Sequence, residues 1–399
     1  MPETVAIDDK KDEGAAAPKE SRSIVLSGFG GLKMLKVQKK PESKPGDGEV
    51  AIRVKACGLN FLDLMVRQGV LDSPPKTPVT MGFECSGEVE AVGENTPGIA
   101  IGDHVIAFTD YGAWGELVVA SARYVFKMPS NMSYQDAAAL PMNYLAAHIM
   151  LFDISNLQKG MSVFAQNIGG GVGHAITQLC KTVEDVTLYG TASAHKHDVI
   201  KNNVTHVIDK SGDYIQEVRK LAPDGVDIVL DCICGEDTNK GISLLKPMGK
   251  YVLYGSSSII TGETKSFFSF AKSWWQVDKV SPIKLYDENK TVSGFQLRHL
   301  AFQQGRDQVI RATMNKLFQL YSQGKIQPVV DSTWAFEDVA DAMQRMHDRK
   351  NIGKIILDPA MEPKPKVVTN AEATPGQEET NEEKPEVDEH KEQPAVNGQ

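Results

Sequence analysis

The sequence predicts an α/β protein in which a doubly wound parallel sheet is joined to a second, mostly-β domain. Residues 22–140 read as short alternating strands separated by turn signals. Residues 150–300 alternate strand-length apolar runs with helix-period segments, the pattern of right-handed βαβ units. Between the first such strand and its helix lies a glycine-rich bend, NIGGGVG, at residues 167–173.

In chain order, GEVAIRVKACG and CSGEVEAVG alternate, and GDHVIAF and GELVVAS are short β-rich runs. SVFAQ, VTLYGTA, THVID, VDIVLDCICG and KYVLYGSS then read as strands. GVGHAITQLCKTV, AHKHDVIKN, GDYIQEVRKLA and GISLLKPMG read as the helices between them. Residues 307–323 and 337–349 follow as helices, and GKIILDP closes the fold as a strand. The expected organisation is a disordered segment at 1–21, a mostly-β domain at 22–149, a nucleotide-binding domain at 150–300, a return to the first domain at 301–358 and a disordered acidic tail at 359–399.

Composition narrows the function. The net charge of −9 argues against a general nucleic-acid binder, which carries a basic face. No run of about 20 apolar residues exists to form a membrane span. The acidic start MPETVAIDDKKDEGAAAPKE lacks the apolar core of a secretory signal. Cysteines 57, 85, 180, 232 and 234 are odd in number and show no disulfide spacing, so reduced thiols and a cytoplasmic location are expected.

A dinucleotide-binding bend carries G-x-G-x-x-G, and here its slots fall on Ile168, Gly170 and Gly173, with further glycines at 169 and 171. The helix opening with Gly171, Val172 and Gly173 would present amides and partial positive charge to pyrophosphate. The next strand ends in YGTASAHK without the acid that bonds a ribose 2′-hydroxyl. Ser193 and Lys196 suit a 2′-phosphate, which points to NADPH, although a lysine on a first helical turn also serves as a solvated charge.

GLNFLDLMVRQG, MGFECSGEVEAVG, IGDHVIAF, GAWGELVV, AAALPMNYLAA, GGGVGHA and NIGKIIL stand in the order found in medium-chain dehydrogenases/reductases, and resemble the quinone oxidoreductase branch. KACGLNFLDLMVRQG, GTASAHKHDVIK, TGETKSFFSFAKSWWQV and GKIQPVVDS resemble the vesicle amine transport protein family, particularly its homolog-like members. The resemblance covers about residues 22–358. It implies a GroES-like substrate domain, a Rossmann domain and a homodimer, and it adds Lys210, Gly255 and Asn351 to the cofactor-binding set.

In the zinc-dependent members of that superfamily a Cys and a His hold the catalytic metal. Those slots align here with Asn60 and Phe83, and a carboxamide and a phenyl ring are not zinc ligands. Quinones and activated enones accept hydride without a strong Lewis acid, so a small apolar quinone or enone substrate is expected, with Asn60 as a carboxamide donor. Asn60 as a turn-stabilising residue is the plain alternative, and Asp63 and Arg67 are expected to pair on the helix that follows. Met65, Ala146 and Gln166 replace residues that related reductases use around substrate and nicotinamide, which opens a second reading: a catalytically weak NADPH-binding protein that contacts lipid or a vesicle membrane. KSFFSFAKSWWQVDKV, residues 265–280, is read either as core and dimer packing or as an apolar wall or membrane contact.

Overall fold

The computed structural model describes residues 19–260, 262–264 and 280–365. The aromatic run at 265–279 and the terminal segments 1–18 and 366–399 lie outside these residues.

Six parallel strands form the sheet that carries the glycine bend. Their spatial order is His206–Asp209, Thr187–Ala192, Ser162–Ala165, Val226–Asp231, Leu245–Leu253, Thr291–Gly294. Numbered along the chain from Ser162, this is 3-2-1-4-5-6, the doubly wound order whose direction reverses between the first and fourth strands. Ligands bind at such a reversal, because the loops leaving the two adjacent strands diverge to opposite faces and open a crevice.

The second architecture is a mostly antiparallel sheet ordered Val330–Ala335, Lys354–Asp358, Glu49–Leu59, Glu84–Val92, His104–Phe108, Val125–Lys127, with Leu117–Ser121 also paired to Glu49–Leu59. The late strand Lys354–Asp358 inserts antiparallel to the end of Glu49–Leu59, with Ile355 opposite Leu59 and Leu357 opposite Cys57. A small sheet of Leu35–Pro41, Glu20–Leu26 and Val79–Thr80 completes the β structure.

Apolar periodicity explains the packing. Val163, Ala165, Leu188, Ile228 and Leu230 of the parallel sheet join Tyr144, Leu145, Ile310, Met314 and Leu317 in one buried cluster. Ile52, Val54, Leu59, Phe83, Val105 and Ile355 build the other around Trp114. Burying each of the Val, Leu, Ile, Phe and Met side chains among these contributes about 1.5–3 kcal/mol.

One element departs from the sequence reading. GISLLKPMG was expected to be helical, yet the helix Glu236–Ser243 stops early and Leu245–Leu253 is a strand. Pro247 cannot donate to a helical ladder, and Met248 adopts a left-handed φ of 67°, so the run turns outward before rejoining the sheet. Thr291–Gly294, the sixth strand, carries too little apolar pattern to stand out in sequence. Among the described residues no helix is long and apolar enough to cross a membrane.

Candidate active site

A cleft of about 740 Å³ opens where the parallel sheet reverses, within the usual range for small-molecule sites. Asn60, Gly170, Gly171, Val172, Gly173, Ser193, Lys196, Lys210, Gly255 and Asn351, the candidates from sequence, all line it.

The glycine bend leaves Ala165 and enters the helix Gly171–Cys180. The helix's own ladder begins with His174 N–H donating to the Gly170 carbonyl at 2.9 Å, and the bridge between Gly170 and Gly353 engages the Gly171 amide, which leaves the amides of Val172 and Gly173 to an outside acceptor. A Cβ on Gly173 would stand 2.2 Å from the Ile168 carbonyl oxygen, and one on Gly171 would stand 2.6 Å from the Asn143 carboxamide. These two glycines therefore serve close packing. Gly170 has an extended backbone and a Cβ there would meet only the Asn167 carbonyl, at 3.4 Å, so its bare face looks into the cleft.

Three of the cations that line the cleft, Lys196, Lys210 and Arg349, act on one another electrostatically. Lys196 is 7% exposed, and its Nζ donates to the Asn351 carbonyl at 2.6 Å. Burial, then the charges of Lys210 and Arg349, pull its pKa down to about 8. Burial also lowers Arg349, and burial with the Arg349 charge lowers Lys210. Arg349 lies over the Phe61 ring at 4.4 Å and reaches the Ser257 carbonyl at 3.4 Å, with a left-handed φ of 58°. Among the described residues none of the three forms an ion pair with a carboxylate; Asp331 acts on Lys196 and Asp209 on Lys210 only through their charge, so the cluster keeps donors suited to phosphate. Arg349 escaped the sequence reading because it sits among other charges in HDRKN at a helix end.

A second polar group is built differently. Asn60 is 7% exposed, and its Nδ2 donates to Glu84 Oε1 at 2.8 Å while its Oδ1 accepts from Lys354 Nζ at 2.6 Å. Lys354 also donates to Glu84 Oε1, and the Met142 amide donates to Glu84 Oε2 at 2.8 Å. Gly58 makes room for this carboxylate: a Cβ there would lie 2.4 Å from Glu84 Oε1. Glu84 is fully buried and Lys354 is 2% exposed at the cleft wall.

Asp63 and Arg67 do not form the expected pair. Asp63 Oδ2 accepts from the Asn60 amide at 2.8 Å, capping the helix Phe61–Gln68, while Arg67 donates to the carbonyls of Gly30 and Glu263 at 2.5 and 2.9 Å. Burial raises the Asp63 pKa to about 8. Met65, Ala146, Cys232 and Cys234 line the cleft. Gln166 is 1% exposed and instead donates toward the Tyr214 hydroxyl at 3.4 Å. All five cysteines are free thiols.

Comparisons with known proteins agree with this architecture. Residues 46–130 match the alcohol dehydrogenase GroES-like domain and residues 202–357 match the zinc-binding dehydrogenase family. The chain is 58% identical over 355 residues to synaptic vesicle membrane protein VAT-1 homolog-like of Mus musculus, covering 89% of this chain and 85% of that protein. It is 45% identical over 338 residues to synaptic vesicle membrane protein VAT-1 of Tetronarce californica, covering 83% and 86%. The crystal structure of the human VAT-1 homolog-like protein superposes with a TM-score of 0.77 at 52% identity, over 86% of this chain and 99% of that one. A native mycobacterial structure complexed with NADPH superposes with a TM-score of 0.74 at 26% identity, over 85% and 100%.

A Rossmann sheet with its cleft at the reversal, set beside a GroES-like β domain, defines an oxidoreductase of the medium-chain dehydrogenase/reductase class. Within that class, the chain belongs to the VAT-1 homolog-like family.

Proposed function

We propose that this chain is an NADPH-dependent, zinc-independent oxidoreductase that reduces quinone-like or enone carbonyl compounds. The observation that carries the reading is the cluster of Lys196, Lys210 and Arg349 beside the glycine bend, with no carboxylate pairing any of them among the described residues. Ser193 and this cluster would hold the 2′-phosphate, and the free amides of Val172 and Gly173 with Gly171, Gly255 and Asn351 would hold the rest of the nucleotide. When bound, the nucleotide supplies a hydride.

Zinc does not fit the residues at its two slots. Asn60 Oδ1 is already taken by an ammonium, and the Phe83 ring is buried against Tyr111 at 5.2 Å. Among the described residues no three His, Cys, Asp or Glu side chains gather as a metal site.

The acceptor end of the cleft is walled by Leu62, Met65, Val70, Met142, Phe295 and Leu297. Such a wall orients a flat apolar molecule and excludes water, while Asn60 and Lys354 are the polar groups that would meet its oxygen. A solved mycobacterial relative at 26% identity is named a quinone oxidoreductase, which supports the substrate class. A cytosolic homodimer belongs to the same reading: Thr291–Gly294 ends the parallel sheet with one edge unpaired among the described residues, and light scattering tests the dimer.

The experiment is oxidation of NADPH by pure protein with a panel of quinones and enones, alongside titration of NADPH and NADH. Turnover with at least one acceptor and tighter binding of NADPH than NADH are expected. Equal, weak binding of both nucleotides would overturn the proposal.

A further inference from the structure

Lys354 stands apart from the cation cluster, and nothing in the nucleotide reading uses it. We infer that Lys354 is a catalytic residue whose ammonium donates the hydrogen bond that grips the carbonyl oxygen of the acceptor. This rests on the proposed function and deepens it.

A lysine ammonium has three N–H groups and no acceptor. Two are used, by Asn60 Oδ1 at 2.6 Å and by Glu84 Oε1. The residue is 2% exposed yet lines the cleft, so the third N–H has the cleft as its outlet. Glu84, in contrast, is an acceptor only: it takes hydrogen bonds from Lys354, Asn60 and the Met142 amide and donates none. The carboxylate therefore acts as a buried counter-charge that holds the ammonium in place.

The same contacts fix Asn60. Its Oδ1 faces the ammonium and its Nδ2 faces the carboxylate, so charge decides the orientation of the amide. One Nδ2 hydrogen is then left over, on a side chain that also lines the cleft. Two donors of one wall, one of them charged, make an oxyanion-binding pair. When the acceptor is reduced, negative charge develops on its oxygen, and preorganised donors in a dry site stabilise that charge far more than water would. The pair does for the oxygen what a Lewis-acidic metal would do, from the position where Asn60 stands in a metal-ligand slot. It selects acceptors that carry a carbonyl oxygen.

The test uses nucleotide-free protein, so that it does not depend on turnover. Carbonyl-labelled acetophenone, an aromatic ketone that stays unreduced without cofactor, is added and its C=O stretch is read by difference infrared spectroscopy. In the wild type the band should move to lower frequency, as for a carbonyl bonded to a cation. Lys354→Arg should keep most of the shift and Lys354→Met should lose it. Because Lys354→Met strands the buried Glu84 carboxylate, the double variant Lys354→Met/Glu84→Gln is measured too and should also lose the shift. In the double variant kcat should fall about 100- to 1,000-fold, with the Kd for NADPH changed less than about threefold. An unshifted band in the wild type, or an equal shift in the double variant with normal NADPH binding, would overturn the role of Lys354. Failure of the wild type to bind any nucleotide would overturn the cofactor reading, and this assignment with it.

Discussion

The cleft has two polar regions of opposite design. At the glycine bend, Lys196, Lys210 and Arg349 crowd together, with burial lowering the proton affinity of each and the charges of Lys210 and Arg349 lowering that of Lys196 further, and no carboxylate is paired to them among the described residues. At the other region, Lys354, Glu84 and Asn60 satisfy one another almost completely. The first is a site whose charge balance is completed by an anion from outside. The second is balanced internally and offers only spare donors. Under the proposed function, the difference separates what the cleft would bind from what it would do to the bound molecule: phosphates would be captured by net charge, whereas an oxygen would be polarised by groups already locked in place.

Substitutions at the two regions should break this contrast in different ways. The largest effect belongs to Gly173→Ala, where the new Cβ would lie 2.2 Å from the backbone oxygen of Ile168. Overpacking costs about 1–3 kcal/mol, and because backbone cannot swing aside, the loss should fall at the upper end. Thermal unfolding should show a clear drop in Tm, and nucleotide binding should fall with it.

Next comes Lys196→Ala. A hydrogen bond to a charged group contributes about 1.5–3 kcal/mol, or about 10- to 150-fold in affinity. Calorimetry should show that loss for NADPH and almost none for NADH. Arg349→Ala should weaken NADPH in the same direction, since it shares the cluster. Equal losses for both nucleotides would mean that these side chains act through the fold.

Asp63 gives a prediction in pH. Burial raises its pKa from 3.8 to about 8, so the folded state favours the neutral acid. The stability it contributes is complete below pH 3.8 and is lost as pH rises through about 8. Asp63→Asn keeps an acceptor for the Asn60 amide and removes the titration. Between about pH 6 and 9 the wild type should therefore lose more Tm than the variant, at a slope of at most about 1.4 kcal/mol per pH unit.

The smallest change in stability is expected for Gly170→Ala, whose Cβ meets only the Asn167 oxygen at 3.4 Å on an ordinary extended backbone. Tm should stay nearly constant while nucleotide affinity falls, because the methyl group projects toward the cleft. A variant that loses neither would remove Gly170 from the binding surface.

The same contrast decides what could be read in the sequence. The glycine bend was legible because it is local: a strand, a run of glycines and a helix occupy residues 162–180 without interruption. Asn60 was singled out, but its partners were not. Its bond to Glu84 spans 24 positions and its bond to Lys354 spans 294. A hint existed in both places. Glu84 lies between Phe83 and Cys85, and Lys354 opens the apolar run KIIL, so each is a charge at a position whose neighbours are buried. Such a residue needs a buried partner, although one sequence alone does not say which. The first half of the strand Leu245–Leu253 escapes the pattern for a related reason: LLKPMG has mixed periodicity and joins the sheet through pairing of Leu245 with Val226, whereas KYVL is read correctly as a strand.

The late position of Lys354 also has a consequence for biosynthesis. Asn60, Glu84 and the glycine bend emerge from the ribosome long before residues 353–358, which supply both the bridge from Gly353 to Gly170 and the ammonium beside Asn60. A growing chain folds from its N-terminus as it lengthens. The bend and Lys196 are thus already translated while Glu84 still lacks its cation, and Glu84 cannot be buried at native cost until the last strand slides in beside Leu59. Nascent chains arrested short of residue 353 should therefore hold the β domain open at that edge, a state exposed to chaperones and proteases until Lys354–Asp358 pairs beside Leu59.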